Sequence, residues 1–458
     1  MSDIALSAER LSQLREEIPG WLIKDHAKGD YRLDRQMFLD EDIFELEMKY
    51  IFEGNWVYVG HESQVAKKHD FLTTRIGRQQ VIITRQADDT IGGFINVCAH
   101  RGARVCREKT GNKKAFACGF HGWVYDSSGK LVDVPDQAGG GYPPNFDRAK
   151  LGLTPVARIE DYRGFIFASL NPDVLPLREY LSGTRAFIDL VVDQSPTGKL
   201  EVLRGATHYN YKGNWKLQVE NGLDGYHVNA VHGNYMATTM RRMARGKDND
   251  TKVMNLDTLS KLKGGFFAFE NGHAVLWIDI LNYQDRPANE FREHFLKTYG
   301  PARTGWMTER MRNMVLFPNV FLMDQASTQL RIIHPISVNE TEITTYCYAP
   351  VGESDKSRAL RIRQYEDFFN ASGMATPDDL TEFNNCQMGF AARSTPYSDM
   401  SRGTGRAIEG VNEVGQLLGF DAILTGMEKA DEGLYFAIHE DWLARMQDAL
   451  KHELAAAK

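Results

Sequence analysis

Two short motifs early in the chain each set one cysteine beside one histidine: Cys98-Ala-His100 in NVCAHRGARVC and Cys118-Gly-Phe-His121 in FACGFHGWVYD. Seventeen residues separate His100 from Cys118. Two loops that each offer a thiolate and an imidazole can close around a [2Fe–2S] centre in which the cysteines hold one iron and the histidines the other. Exchanging two thiolates for imidazoles removes negative charge, which raises the reduction potential and suits the centre to relaying electrons. A structural zinc site built from the same four residues is the alternative. Zinc fingers usually group cysteines together and histidines together, whereas each motif here mixes the types. Gly102, Gly119 and Gly122 suit tight loops whose N–H groups approach sulfide. Trp123 is expected to pack around the centre.

A second concentration of ligand-type side chains lies in NWKLQVENGLDGYHVNAVH, where Glu220, Asp224, His227 and His232 fall within thirteen residues. Two neutral imidazoles and one carboxylate on one face of an Fe(II) leave positions open for dioxygen beside a substrate. His227 and His232 are the natural pair. On an ideal helix five residues turn about 500°, leaving the two rings roughly 140° apart, so the segment must distort to aim both at one ion. Gly222 and Gly225 permit such distortion. Asp224, three residues before His227, is better placed as a hydrogen-bond acceptor behind the ligands than as a ligand. Asn221 and Tyr226 either assist that network or simply pack. Taken alone, a His-x4-His pair is more often two satisfied side chains than a ligand set, and it is the companion motifs that favour metal.

The run N-W-K-x3-E-N-x2-D-x-Y-H-x4-H resembles the mononuclear iron segment of the Rieske non-haem iron oxygenases, and the cysteine–histidine motifs resemble the cluster loops of that family. The likeness extends over nearly the full length, from IFEGNWVYVGHES through LFPNVFLMD to TPDDLTEFNNCQ, and looks closest to the large (alpha) subunits of benzoate, toluate and anthranilate dioxygenases. This resemblance implies a Rieske domain followed by a helix-grip (START-like) catalytic domain. It also implies a carboxylate ligand far downstream, assigned to Asp379, with Asp378 as the other choice. Both aspartates could equally start a helix and complement its dipole. Asp224 matches the residue that bridges a mononuclear-site histidine and a cluster histidine of a neighbouring subunit, which gives it a catalytic part. The implied reaction is cis-dihydroxylation of benzoate, a substituted benzoate or anthranilate with O2. Electrons would come from a separate NADH-dependent flavin and iron–sulfur reductase. Small β subunits in an α3β3 assembly, or an α3 trimer, are the implied forms. A monooxygenase, a dioxygenase acting on an aromatic amine and a simple electron carrier are the competing readings. Gly403-Thr404-Gly405 lacks the third glycine and preceding strand of a dinucleotide fingerprint, consistent with a separate reductase.

By nearness to the ligands, Gly222, Leu223, Asn229 and Ala230 are candidate pocket residues. Arg331, in TQLRIIHP, could meet a substrate carboxylate, although an arginine in a strand is more often a surface ion-pair partner.

These residues need scaffolds. The chain has 458 residues, enough for two or three domains, and a net charge of −7 without long basic runs, which argues against nucleic acid. No segment is apolar for long enough to span a bilayer, and the acidic, amphipathic N-terminus does not read as a secretory signal, so cytoplasmic residence is expected. Cys106, Cys347 and Cys386 form an odd remainder unlike a disulfide framework. An α+β chain is expected: an N-terminal helical segment over 1–45 packing on the catalytic domain, an antiparallel β domain over 46–165 carrying both loops, and a catalytic domain over 166–458. Short β-branched runs (DFLTTRIG, QQVIITRQ, GGFINVC) mark the second, and alternating strands flanked by long helices mark the third.

Overall fold

The computed structural model describes residues 6–25, 28–245 and 261–457, so the first five positions of the N-terminal segment lie outside it. The described residues divide into two compact units, one within 48–177 and one within 6–47 and 178–457.

The smaller unit is built from short antiparallel strands. Asp70–Ile76, Gln79–Arg85 and Ile91–Ile95 form a meander to which Thr110–Asn112 is added at one edge. These are the β-branched runs singled out in the sequence, and their apolar residues alternate into a core of Phe71, Ile82 and Phe94. Ala115–Ala117, Val124–Asp126 and Leu131–Asp133 form a second small sheet. A third sheet pairs Phe165–Ser169 with both Arg158–Tyr162 and Val57–His61. Because that strand completes the sheet, the unit continues beyond residue 165 to Leu177.

The larger unit holds an antiparallel sheet of nine described strands. A continuous meander runs from Gly264–Ala268 through Ala274–Asp279, Arg310–Leu316, Val320–Asp324 and Thr328–Ser337 to Glu340–Pro350. Leu200–Tyr211 then closes one side. The C-terminal helix Leu434–Ala456 packs against Gly264–Ala268 and Ala274–Asp279, the sheet-on-helix arrangement expected for this part of the chain. The helix Glu41–Glu47 belongs to this unit, and Glu47 is fully buried. No helix among the described residues is long and apolar enough to cross a membrane.

Candidate functional site

In the smaller unit the two cysteine–histidine loops share one backbone design. Cys98 N–H donates to Ala103 O at 2.8 Å and Gly102 N–H to Cys98 O at 2.9 Å; Cys118 N–H donates to Trp123 O at 2.7 Å and Gly122 N–H to Cys118 O at 3.0 Å. Each turn closes through a glycine with positive φ, 75° at Gly102 and 73° at Gly122, where a side chain would be strained. The outcome is an inside and an outside: Cys98 and Cys118 are buried, while His100 and His121 are exposed, with ring centroids 4.5 Å apart. Two thiols at depth and two imidazoles at the surface are the donor set that a cluster with unlike irons needs.

Trp123 packs as expected, stacked on the His100 ring at 4.9 Å, and its Nε1 donates to the Tyr142 hydroxyl at 3.3 Å. Tyr125 was not legible in advance. Its hydroxyl lies 3.2 Å from Cys98 Sγ and accepts from Ala99 N–H at 3.0 Å. A tyrosine four residues beyond His121 carried no signal that it would turn back to the first motif.

In the larger unit, Asn214 caps the helix Trp215–Asn221 by accepting from Lys216 N–H. Helical geometry then stops. Gly225 approaches Lys429 O so closely that any Cβ would collide with it. A one-turn helix, Val228–Val231, follows with His227 at its start and His232 at its end. Flanking this single turn solves the angular problem of the five-residue spacing, and the two rings meet at a centroid distance of 5.1 Å.

Asp379 arrives from the first turn of the helix Thr376–Phe390, where Asp378 also sits. It is Asp379 that turns inward. Its Oδ1 is 3.4 Å from His227 Nε2 and 3.4 Å from His232 Nε2, and the two nitrogens are 3.3 Å apart. Ligands about 2 Å from one ion and set at roughly 90–110° lie about 3.0–3.4 Å from each other, so this triangle fits a single iron. Among the described residues it is the one trio of His, Cys, Asp or Glu side chains so gathered.

Asn221 Nδ2 lies 3.2 Å from Asp379 Oδ1 and 3.4 Å from His227 Nε2, placing this amide in the network. Tyr226 is exposed and lies beneath the Arg402 guanidinium instead. Asp224 reaches His227 through a turn rather than along a helix face: Oδ1 accepts from His227 N–H at 3.3 Å while Oδ2 lies 3.2 Å from Nδ1. Burial works against a charged His227, but Asp224 and Asp379 outweigh it and lift the imidazole to about 10. Burial would likewise raise the Asp379 carboxyl, yet His227, His232 and Arg331 hold it below the ordinary carboxylate range.

The trio opens on a cavity of about 640 Å³. Gly222 and Asn229 line it, whereas Leu223 and Ala230 do not. Leu223 is wholly buried in the core and Ala230 faces outward, because neighbours on a tight turn point in different directions. Arg331, the candidate for a substrate carboxylate, is 4% exposed on the cavity wall, so the alternative of a surface ion-pair partner does not hold.

Residues 201–455 match the family model described as the ring hydroxylating alpha subunit catalytic domain, and residues 55–153 match the Rieske [2Fe-2S] domain. The chain is 50% identical to toluate 1,2-dioxygenase subunit alpha of Pseudomonas putida, covering 94% of each chain. It is 44% identical to the 2-halobenzoate 1,2-dioxygenase large subunit of Burkholderia cepacia, covering 99% of this chain and 97% of that one. Among solved structures, naphthalene 1,2-dioxygenase from Rhodococcus sp. bound to indole shares the fold, with a TM-score of 0.81 at 22% identity over 96% of this chain and 98% of the other.

Proposed function

The chain belongs to the ring-hydroxylating alpha-subunit family, with a Rieske [2Fe–2S] domain ahead of the catalytic domain, and from that membership we propose that it cis-dihydroxylates a benzoate-type aromatic acid. Toluate and 2-halobenzoate, the acids named for two relatives, are both ring-substituted benzoates, and this supports the substrate class. The observation that carries the reading is the His227, His232 and Asp379 triangle on the wall of a cavity, in a chain that also bears two cluster loops.

Cys98, Cys118, His100 and His121 would hold the cluster, and His227, His232 and Asp379 the mononuclear iron. When bound, the first supplies electrons singly and the second activates dioxygen. Asp224 stands behind His227 at Nδ1, and the Asn221 amide meets the converging atoms themselves, Asp379 Oδ1 and His227 Nε2. Ile278, Ile280, Met311 and Met323 give the cavity apolar surface on which an aromatic ring can rest and from which water is displaced. Family members are terminal oxygenases that work with reductases. Here the reductase would be NADH-dependent, in the cytoplasm. The relatives' descriptions as "subunit alpha" and "large subunit" support a smaller partner subunit; the assembly would be α3β3, with an α3 trimer as the other form.

Oxygen uptake with a matched reductase over a panel of aromatic acids and amines tests the reading. The expected product is a cis-dihydrodiol acid carrying both atoms of one labelled O2; a singly hydroxylated or dealkylated product would establish a monooxygenase instead. Asp379→Ala should remove about one iron per chain and abolish turnover while sparing the visible cluster spectrum, whereas Asp378→Ala should keep that iron.

A further inference from the structure

The cavity wall carries four cationic side chains: Arg286, Arg331, Lys356 and Lys429. Three are committed or solvated. Arg286 is ion-paired with Asp324, Lys429 donates to Leu262 O at 2.7 Å, and Lys356 is exposed. Arg331 is different. It lies within the strand Thr328–Ser337, 4% exposed, between neighbouring strands on both sides. Among the described residues its polar contact is with Gln329, which shares its face of the strand and accepts from Nε at 3.0 Å. The Phe369 ring lies 5.9 Å from its guanidinium carbon. No described carboxylate comes within ion-pair distance.

A guanidinium stays charged at any pH the fold tolerates, and burying one without an anion is costly. Asp379 acts on it only at longer range and forms no direct ion pair with it, its Oδ1 being turned to His227, His232 and Asn221. A divalent ion held by the trio would add positive charge to the same cavity wall. The contact to Gln329 uses Nε and leaves the two terminal nitrogens of the fork, the pair that receives a carboxylate in bidentate fashion.

We propose that Arg331 binds the carboxylate of the aromatic acid and thereby selects acids over neutral rings. This assignment rests on the substrate class proposed above. A neutral ring of equal size fills the same apolar space but leaves the cation unpaired, and sites built around a polar partner reject analogues lacking it far more strongly than they reject a changed methylene.

The test uses the iron-loaded chain and measures equilibrium binding of benzoate, benzamide and methyl benzoate by calorimetry, alongside KM and kcat with the reductase. The wild-type chain should bind benzoate at least tenfold more tightly than either neutral analogue. Arg331→Gln should weaken benzoate by about 100-fold and leave benzamide within a few-fold. Arg331→Lys should restore part of the loss, and KM should move more than kcat. Cluster absorbance and iron content report folding of the variants. Benzoate binding within threefold of wild type in a folded Arg331→Gln chain overturns the proposal. So does a wild-type chain that binds benzamide as well as benzoate, a result needing no variant. If the wild-type chain binds benzoate selectively through Arg331 but turns over no aromatic acid, the proposed function fails and the anion site stands.

Discussion

Asp224 holds Oδ2 3.2 Å from Nδ1 of His227, on the opposite side of the ring from the nitrogen that faces Asp379 and His232. A carboxylate behind a ligating imidazole sets its tautomer and orientation and raises its basicity, and losing such a partner typically weakens metal binding 10–100-fold. Asp224→Asn is therefore expected to lose mononuclear iron 10–100-fold more readily to a chelator, with slower turnover and an unchanged visible spectrum. Iron retention equal to the wild type would reduce Asp224 to a backbone cap for Tyr226 and His227.

Tyr125 offers the corresponding adjustment at the cluster loops. With Cys98 as a metal-bound thiolate, a hydroxyl 3.2 Å away donates to it and favours the reduced, more negative state. A hydrogen bond to a charged acceptor is worth one to three kcal/mol at most, so Tyr125→Phe should lower the midpoint potential by on the order of 50 mV. An EPR-monitored redox titration reads this directly, and a midpoint that does not move would confine the hydroxyl to supporting Ala99 N–H.

What was legible in the sequence was whatever is local. The cluster loops could be read because each packs a cysteine, a histidine and a turn glycine into a few residues, and the strands because β-branched residues alternate within them. Asp379 is remote from the histidines it meets, and only the family resemblance pointed to it. Leu223 and Ala230 are near the ligands along the chain but not on the cavity wall, since neighbours on a tight turn point apart. Arg331 could be named as a candidate for a carboxylate but not separated from a surface ion-pair partner, because one arginine in a strand says nothing about whether that strand lies inside a sheet. Tyr125 and Glu47 had no signature at all, since their partners lie 27, 168 and 395 positions away.

Glu47 shows what such a distant contact does for stability. Its wholly buried carboxylate accepts from Trp215 Nε1 at 2.7 Å and Trp442 Nε1 at 2.6 Å and is ion-paired with Lys216, so one side chain ties together the helix Glu41–Glu47, the helix leading to the metal trio and the C-terminal helix. Glu47→Ala would strand a buried ammonium and two indole N–H groups, a change that costs about 3–5 kcal/mol. Urea unfolding should register that loss. Adding Lys216→Met should recover much of it, because the penalty comes from the unpaired charge; a double variant no more stable than the single one would place the penalty in lost packing.

His273 makes the fold sensitive to acid. Phe317 N–H donates to Nδ1 at 2.9 Å, so the ring's one proton sits on Nε2 and is given to Tyr180 O, also at 2.9 Å. Protonating Nδ1 would set a donor against a donor in a fully buried place. Burial accordingly pushes His273 down to about 3, against the small opposing effect of Tyr180 and with Arg445 adding to the fall. The unfolded chain takes up this proton near pH 6.5 and the folded chain not until about pH 3, so the unfolded state binds more protons throughout that interval and stability declines as pH falls through it. By pH 5 the loss from this residue is about 2 kcal/mol. Urea unfolding between pH 7 and 5 should show that slope in the wild type, and His273→Gln, though less stable at pH 7, should show it reduced by close to one proton. An identical slope in the variant would mean the acid sensitivity comes from other groups.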